Sequence, residues 1–104
     1  MNPDTDPLLQ PLTLKHLTLK NRVRSTSHEP AYSEDGLPKE RYRLYHEEKA
    51  KGGIGLTMFG GGTLVARDSP AAYGNLYAGD DAIVPHFRKL AQGVHAHGAA
   101  TMCQ

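Results

Sequence analysis

Three stretches of this chain carry groups that could do chemistry together. His28-Glu29 follows a short β-compatible run at 22–27, Gly60-Gly61-Gly62 follows an apolar run at 54–59, and Gln104 ends a third run at 99–104. An imidazole and a carboxylate offer acid–base work, and a carboxamide offers a donor and an acceptor side by side. Glycines lacking Cβ let a flat ligand approach the backbone, or merely allow a sharp turn. In parallel α/β folds ligands bind at the C-terminal edge of the strands. If the three runs are parallel strands, all these groups share one rim. The bland alternative is that His28 and Glu29 are solvated loop residues.

Other candidates carry less. Gly52-Gly53-Ile54-Gly55 precedes its strand and reads as a helix stop. Neither glycine stretch matches G-x-G-x-x-G between a strand and a helix, or a loop ending in Gly-Lys-Ser/Thr. His95 and His97 are two apart, hence on different faces of a helix, and His46 and His86 sit on other turns. No Cys or carboxylate completes a metal set of recognised spacing, so the histidines read as helix-surface or helix-end residues and no metal site is expected. Cys103, the sole cysteine, is expected to be a small buried residue in its strand.

The elements that must position these groups follow from periodicity. Residues 1–8 read as a loose, flexible leader, and 9–104 as one structured portion. Over 11–20, Leu12 and Leu14 share one face and Leu17 and Leu19 another, with a break at Lys15-His16, which predicts a hairpin. A strand is expected at 22–27, then a loop with two prolines and a glycine. Pro38 suits a first helical position, and a helix is expected over 38–51 with Tyr42, Tyr45 and Lys49 on one stripe. The apolar run 54–59 suits a strand buried on both faces. Residues 60–79 show no helical or strand period, and a loop that long usually has a use. Asp80-Asp81 offers an N-cap to a second helix, in which Ile83, Phe87, Leu90, Ala91 and Val94 form an apolar stripe, Pro85 lies in the first turn and Gly98 is the stop. Strand 99–104 closes the order hairpin, β, α, β, α, β. That order means an α/β fold with parallel strands joined by right-handed crossovers. Long polar loops after strands and short ones after helices suit a β/α barrel with its site at the strand tips. On pattern alone a doubly wound sheet fits as well.

Composition narrows the class. The 104 residues hold 12 Lys+Arg against 11 Asp+Glu, a net charge of +1, which gives no electrostatic case for nucleic acid or an anionic membrane. No apolar stretch approaches the ~20 residues that cross a bilayer. The acidic, Pro-broken N-terminus is unlike a signal peptide. One cysteine rules out an intrachain disulfide, which is compatible with a cytoplasmic setting. A complete eight-stranded barrel needs roughly 200 residues or more, so the chain is expected to be the first part of a larger one.

Together these residues resemble the N-terminal part of the Old Yellow Enzyme class of NADH:flavin oxidoreductases. The resemblance is carried by Leu9-Gln10-Pro11-Leu12, Leu19-Lys20-Asn21-Arg22-Val23, Tyr45-His46-Glu47-Glu48-Lys49-Ala50-Lys51-Gly52-Gly53 and Val94-His95-Ala96-His97-Gly98-Ala99, in that order and spacing. Within the class, Ser25-Thr26-Ser27-His28-Glu29-Pro30-Ala31-Tyr32, Glu34-Asp35-Gly36, Pro38-Lys39-Glu40-Arg41-Tyr42 and Thr57-Met58-Phe59-Gly60-Gly61 resemble the branch of 2,4-dienoyl-CoA reductase and trimethylamine dehydrogenase. Within that branch they are similar to enzymes labelled N-methylproline demethylase.

The resemblance implies the first three β/α units of a (β/α)8 TIM barrel, with the hairpin capping its N-terminal end and FMN at the strand C-terminal rim. Ser27, His28, Glu29, Gly61 and Gln104 match FMN-contacting positions. The implied activity is oxidative demethylation or dehydrogenation of an amine, or flavin reduction by NAD(P)H. Reduction of an enone or a dienoyl-CoA is the alternative, and a non-catalytic α/β interaction module the alternative of another class. Glu29 with Tyr32 would hold a cationic amine. Phosphate-binding residues, substrate-proton donors, a 4Fe–4S cluster and a second nucleotide site would all lie on later parts. The isolated chain would then be inactive, with the rest of its own barrel as partner; a homo-oligomer stays open. Two positions depart from trimethylamine dehydrogenase: Glu29 stands where that enzyme attaches its flavin through a Cys, and Gly61 where its substrate cage has a Tyr.

Overall fold

The computed structural model describes residues 2–104. A 3-10 turn at Pro7–Leu9 is followed by strands β1 (Leu12–Leu14), β2 (Leu17–Leu19) and β3 (Arg24–Ser25), helix α1 (Glu40–Lys51) and strand β4 (Leu56–Phe59). A second 3-10 turn, Asp81–Ile83, runs into helix α2 (Val84–His95), and strand β5 (Ala100–Cys103) completes the order. Met1 of the expected leader lies outside the described residues. The Asp6 carboxylate caps the first turn, and the Leu8 carbonyl accepts a hydrogen bond from Arg22 N–H at 2.9 Å.

The alternation over 11–20 gives an antiparallel hairpin in the register Leu12↔Leu19 and Leu14↔Leu17. Its turn is made without glycine, Lys15 taking φ +54°. Strands β3, β4 and β5 form a parallel sheet in sequence order, Ser25 pairing with Thr57 and Thr57 with Thr101. All three are shorter than expected, β5 losing one residue at each end of 99–104. Only Arg24–Ser25 of 22–27 pairs, and β4 starts at Leu56 instead of 54. Before it, Gly55 lies so close to Asn21 that a Cβ would be 2.6 Å from Asn21 Oδ1.

Helix α1 also starts late. Pro38 is buried outside it and Lys39 is its extended N-cap, because the residues before it are used otherwise. Asp35 (φ +56°) and Gly36 (φ +74°) form a two-residue turn in which Glu34 and Leu37 exchange backbone hydrogen bonds of 3.1 and 3.0 Å. Asp-Gly is the pair such turns favour.

Both helices pack on each other and on the sheet. In α2 the expected stripe is the buried one: Ile83, Leu90 and Val94 are buried, with Phe87 against them. Each such side chain contributes about 1.5–3 kcal/mol by leaving water. In α1 the buried stripe is Tyr42, His46 and Ala50, not Tyr42, Tyr45 and Lys49. Tyr45 and Lys49 lie on the flank, the ammonium 4.6 Å from the ring centroid. His46, expected on the helix surface, is fully buried instead, since it is one turn beyond Tyr42 on the sheet-facing side.

The long segment 60–79 is folded without a regular element. Leu64 N–H bonds the Leu76 carbonyl at 2.9 Å, Ala78 N–H bonds the Leu64 carbonyl at 2.7 Å, and Leu76 is fully buried. Tyr77 N–H reaches the Gly36 carbonyl at 2.8 Å, tying this loop to the one that follows β3. The hairpin sits at the opposite, N-terminal end of the sheet. There Lys20 Nζ donates to the His97 carbonyl at 2.8 Å and Asn21 Nδ2 to the Gly53 carbonyl at 2.7 Å. Between the hairpin and the sheet face away from the helices, Leu12, Leu14, Leu19, Arg24, Leu56 and Met102 help line a cavity of about 310 Å³. Among the described residues no helix is long and apolar enough to cross a membrane.

Candidate functional site

Parallel strands in order bring their C-terminal tips to one edge. Beyond β3 lie Ser27, His28 and Glu29; beyond β4 lie Gly60, Gly61 and Gly62; beyond β5 lies Gln104. A Cβ placed on Gly61 would be 3.1 Å from both Glu29 Cβ and Glu29 N, and 3.3 Å from the Ser27 carbonyl oxygen. Gly61 also holds φ +68°, so both space and backbone require glycine there. The Ser27 hydroxyl donates to Gln104 Oε1. The Gln104 carbonyl accepts from Thr63 N–H at 2.9 Å and Gly62 N–H at 3.3 Å, while its own N–H continues the ladder to Phe59 O at 2.9 Å. Ser27, Glu29, Gly61 and Gln104 are thus brought together, with His28 exposed beside them.

Tyr32 is placed elsewhere. Its ring lies under the Arg41 guanidinium, 3.8 Å from the centroid, and meets Tyr45 edge-on at 5.8 Å. It anchors the loop to α1, and a cation already covers one of its faces.

Glu29 is the electrostatically unusual group. Its Oε1 accepts from Ala31 N–H at 2.9 Å, across a turn in which Ala31 takes φ +58°. Its Oε2 is buried and has no hydrogen-bond partner among the described residues, a condition shared by His46 Nε2. Burial raises the carboxyl above its ordinary range, against smaller opposing pulls from the Ala31 N–H and from His28. A buried carboxyl oxygen with no donor is costly to keep ionised, in line with the raised pKa.

Three supporting residues gave no signal in the sequence. Tyr42 reaches from α1 to accept the Gly60 N–H at 2.9 Å, and burial raises its phenol well above the usual range. Thr63 holds Gln104 from the long loop. Thr57 stands between His46 Nδ1 at 2.9 Å and Ser25 Oγ at 3.1 Å. Burial, helped by Lys49, lowers the His46 pKa to about 4. Cys103, expected to be buried, is exposed, its Sγ 3.4 Å from Thr63 Oγ1. It lies on β5, which has no further strand beside it among the described residues. Among the described residues no three His, Cys, Asp or Glu side chains gather as a metal set.

The rim suits a flat heteroaromatic ligand. Side-chain-free backbone supplies a bed, and the Gln104 Nε2, which has no partner among the described residues, supplies a donor at its edge. Comparison with known proteins gives the family. Residues 7–104 match the NADH:flavin oxidoreductase / NADH oxidase family. The chain is 57% identical over 100 residues to a multifunctional alkene reductase/demethylase OYE of Caballeronia cordobensis, covering 96% of this chain and 15% of that protein. It is 56% identical over 99 residues to a probable N-methylproline demethylase of Rhizobium meliloti (strain 1021), covering 95% and 15%. A solved 2-naphthoyl-CoA reductase in complex with 2-naphthoyl-CoA superposes with a TM-score of 0.88 at 25% identity, over 95% of this chain and 15% of that one. The chain therefore spans about 15% of the length of the curated relatives it matches. It belongs to the NADH:flavin oxidoreductase / NADH oxidase family, and its sheet and helices are the first three β/α units of that family's (β/α)8 barrel.

Proposed function

We propose that this segment forms part of the FMN bed of an oxidoreductase that oxidises a small cationic amine, as in the removal of an N-methyl group. The observation that carries the reading is the Glu29 carboxyl standing against Gly61 at the strand tips, its pKa raised by burial. Ser27, His28, Gly61 and Gln104 would hold the cofactor, with Glu29 beside it facing the substrate. Bound there, FMN would supply a hydride acceptor at its N5, with NAD(P)H as an alternative hydride source. Gln104 has its Oε1 taken by Ser27, which leaves Nε2 to donate to the ligand's carbonyl edge. Gly61 keeps the bed flat. Glu29 pairs with the substrate ammonium and can take its proton, freeing the lone pair that loss of hydride from the neighbouring carbon requires. Tyr32 contributes by anchoring the Glu29 loop, since Arg41 already occupies its ring face.

The names of the two relatives support demethylation, and the first also supports a second reading, reduction of an activated alkene. Any 4Fe–4S cluster or second nucleotide site belongs, on this reading, to the rest of the enzyme, and the setting is cytoplasmic. Glu29→Gln in the full-length enzyme separates the two activities. Removing a charge-assisted contact worth about 1.5–3 kcal/mol should raise KM for N-methylproline at least about tenfold, with enone reduction within about twofold of the parent. Equal loss on both substrates would reject the assignment of Glu29.

A further inference from the structure

We infer that Tyr42 is a positioning residue for the rim: its hydroxyl holds the Gly60 peptide, and through it the glycine turn that Glu29 and Gln104 pack against. The β4 ladder ends at Phe59, so the next N–H has no strand partner. That N–H is buried, and Tyr42, with no exposed surface, crosses from α1 to accept it at 2.9 Å. The peptide has little room to find another partner. Gly60 holds φ +95°, and a Cβ there would run into the Gln104 carbonyl oxygen and the Thr63 hydroxyl, with Cys103 Sγ at 3.3 Å. The next two residues then make the contacts that define the site, Gly61 against Ser27 and Glu29 and Gly62 on the Gln104 carbonyl. A helix residue thus holds the first peptide of the backbone bed, the one that no strand bond reaches.

Burial keeps the phenol protonated, and the charge of Glu29 opposes its ionisation further. The hydroxyl therefore stays a neutral acceptor. Tyr45, on the same helix and also packed on His46, makes no hydroxyl hydrogen bond among the described residues and serves as the control.

The functional readout rests on the FMN reading above. Tyr42→Phe in the full-length enzyme leaves a buried N–H unpaired. It should weaken FMN binding on the order of tenfold and shift the visible absorption band and midpoint potential of bound flavin. Tyr45→Phe should match the parent in all three. Parent-like affinity, spectrum and potential in Tyr42→Phe would overturn the inference while leaving the FMN reading intact. If the parent itself binds no FMN, that reading fails, and the inference is decided by amide exchange at Gly60. Faster exchange in Tyr42→Phe supports it and an unchanged rate overturns it. If Tyr42→Phe does not fold, 3-fluorotyrosine at position 42 keeps the shape and weakens the acceptor. A displaced Gly60 amide resonance supports the inference, and an unmoved one overturns it.

Discussion

The two ends of the β3–β4–β5 sheet are built on opposite terms. At the N-terminal end, side chains satisfy backbone: Asn21 donates to the Gly53 carbonyl and accepts from Val23 N–H at 3.1 Å, and Lys20 closes on the end of α2. At the C-terminal end, glycines pack against Ser27 and Glu29, Tyr42 accepts the Gly60 N–H, and Glu29 Oε2 has no hydrogen-bond partner among the described residues. The first end is held by long side chains and the second is shaped by glycines. Barrels divide stability and chemistry between their faces in this way.

A matched pair of glycines gives the strongest test. Gly60 at the rim and Gly53 near the base both hold positive φ, +95° and +106°. Around Gly53 nothing lies within 4 Å of a Cβ, whereas around Gly60 three groups do. Gly60→Ala should cost about 4 kcal/mol, strain plus overpacking, and Gly53→Ala about 1–2 kcal/mol of strain alone. Denaturant midpoints decide it, and equal losses would mean that the rim is no more tightly packed than the base.

Acid acts with opposite sign on the two groups that each keep a buried atom without a hydrogen-bond partner among the described residues, His46 at Nε2 and Glu29 at Oε2. The pKa of His46 in the fold, about 4, lies below its unfolded value of 6.5, so below pH 6.5 the unfolded chain binds more protons. Its contribution, on the order of 3 kcal/mol, is present above pH 6.5 and lost as pH falls toward 4. Glu29 works with the opposite sign. Its raised pKa means that its contribution is present at low pH and lost as pH rises through the folded value. Unfolding of the parent and of His46→Gln should diverge between pH 6.5 and 4, and superimposable pH profiles would count against a buried neutral imidazole. The smallest effect belongs to the surface of the base. Lys20→Ala should cost about 0.5 kcal/mol and leave amine KM unchanged, and a change in KM would show that the two ends are coupled.

What could be read from sequence follows the same physics. The α2 stripe was legible because Ile83, Phe87, Leu90 and Val94 are unambiguous apolar residues at helical spacing. The α1 face was not, because Tyr45 and Lys49 can lie on a flank while His46 packs inside. Asp35-Gly36 carried a turn signature, but in a segment read only as a loop. Glu29, Gly61 and Gln104 were placed on one edge by strand order alone, since parallel strands must end together. Tyr42 and Thr63 could not be found that way: each acts across elements, through a contact that no local spacing encodes.

Asn21 has a consequence for the far end of the molecule. Its side chain grips the segment before β4, and Gly55 has no room for a Cβ because Asn21 lies against it. This fixes how far β3 slides along β4. A shift of one residue would turn Ser25 to the other face, and would carry Glu29 along by one residue's rise, about 3.3 Å. An asparagine at the floor of the barrel thus acts as the ruler by which its roof is levelled.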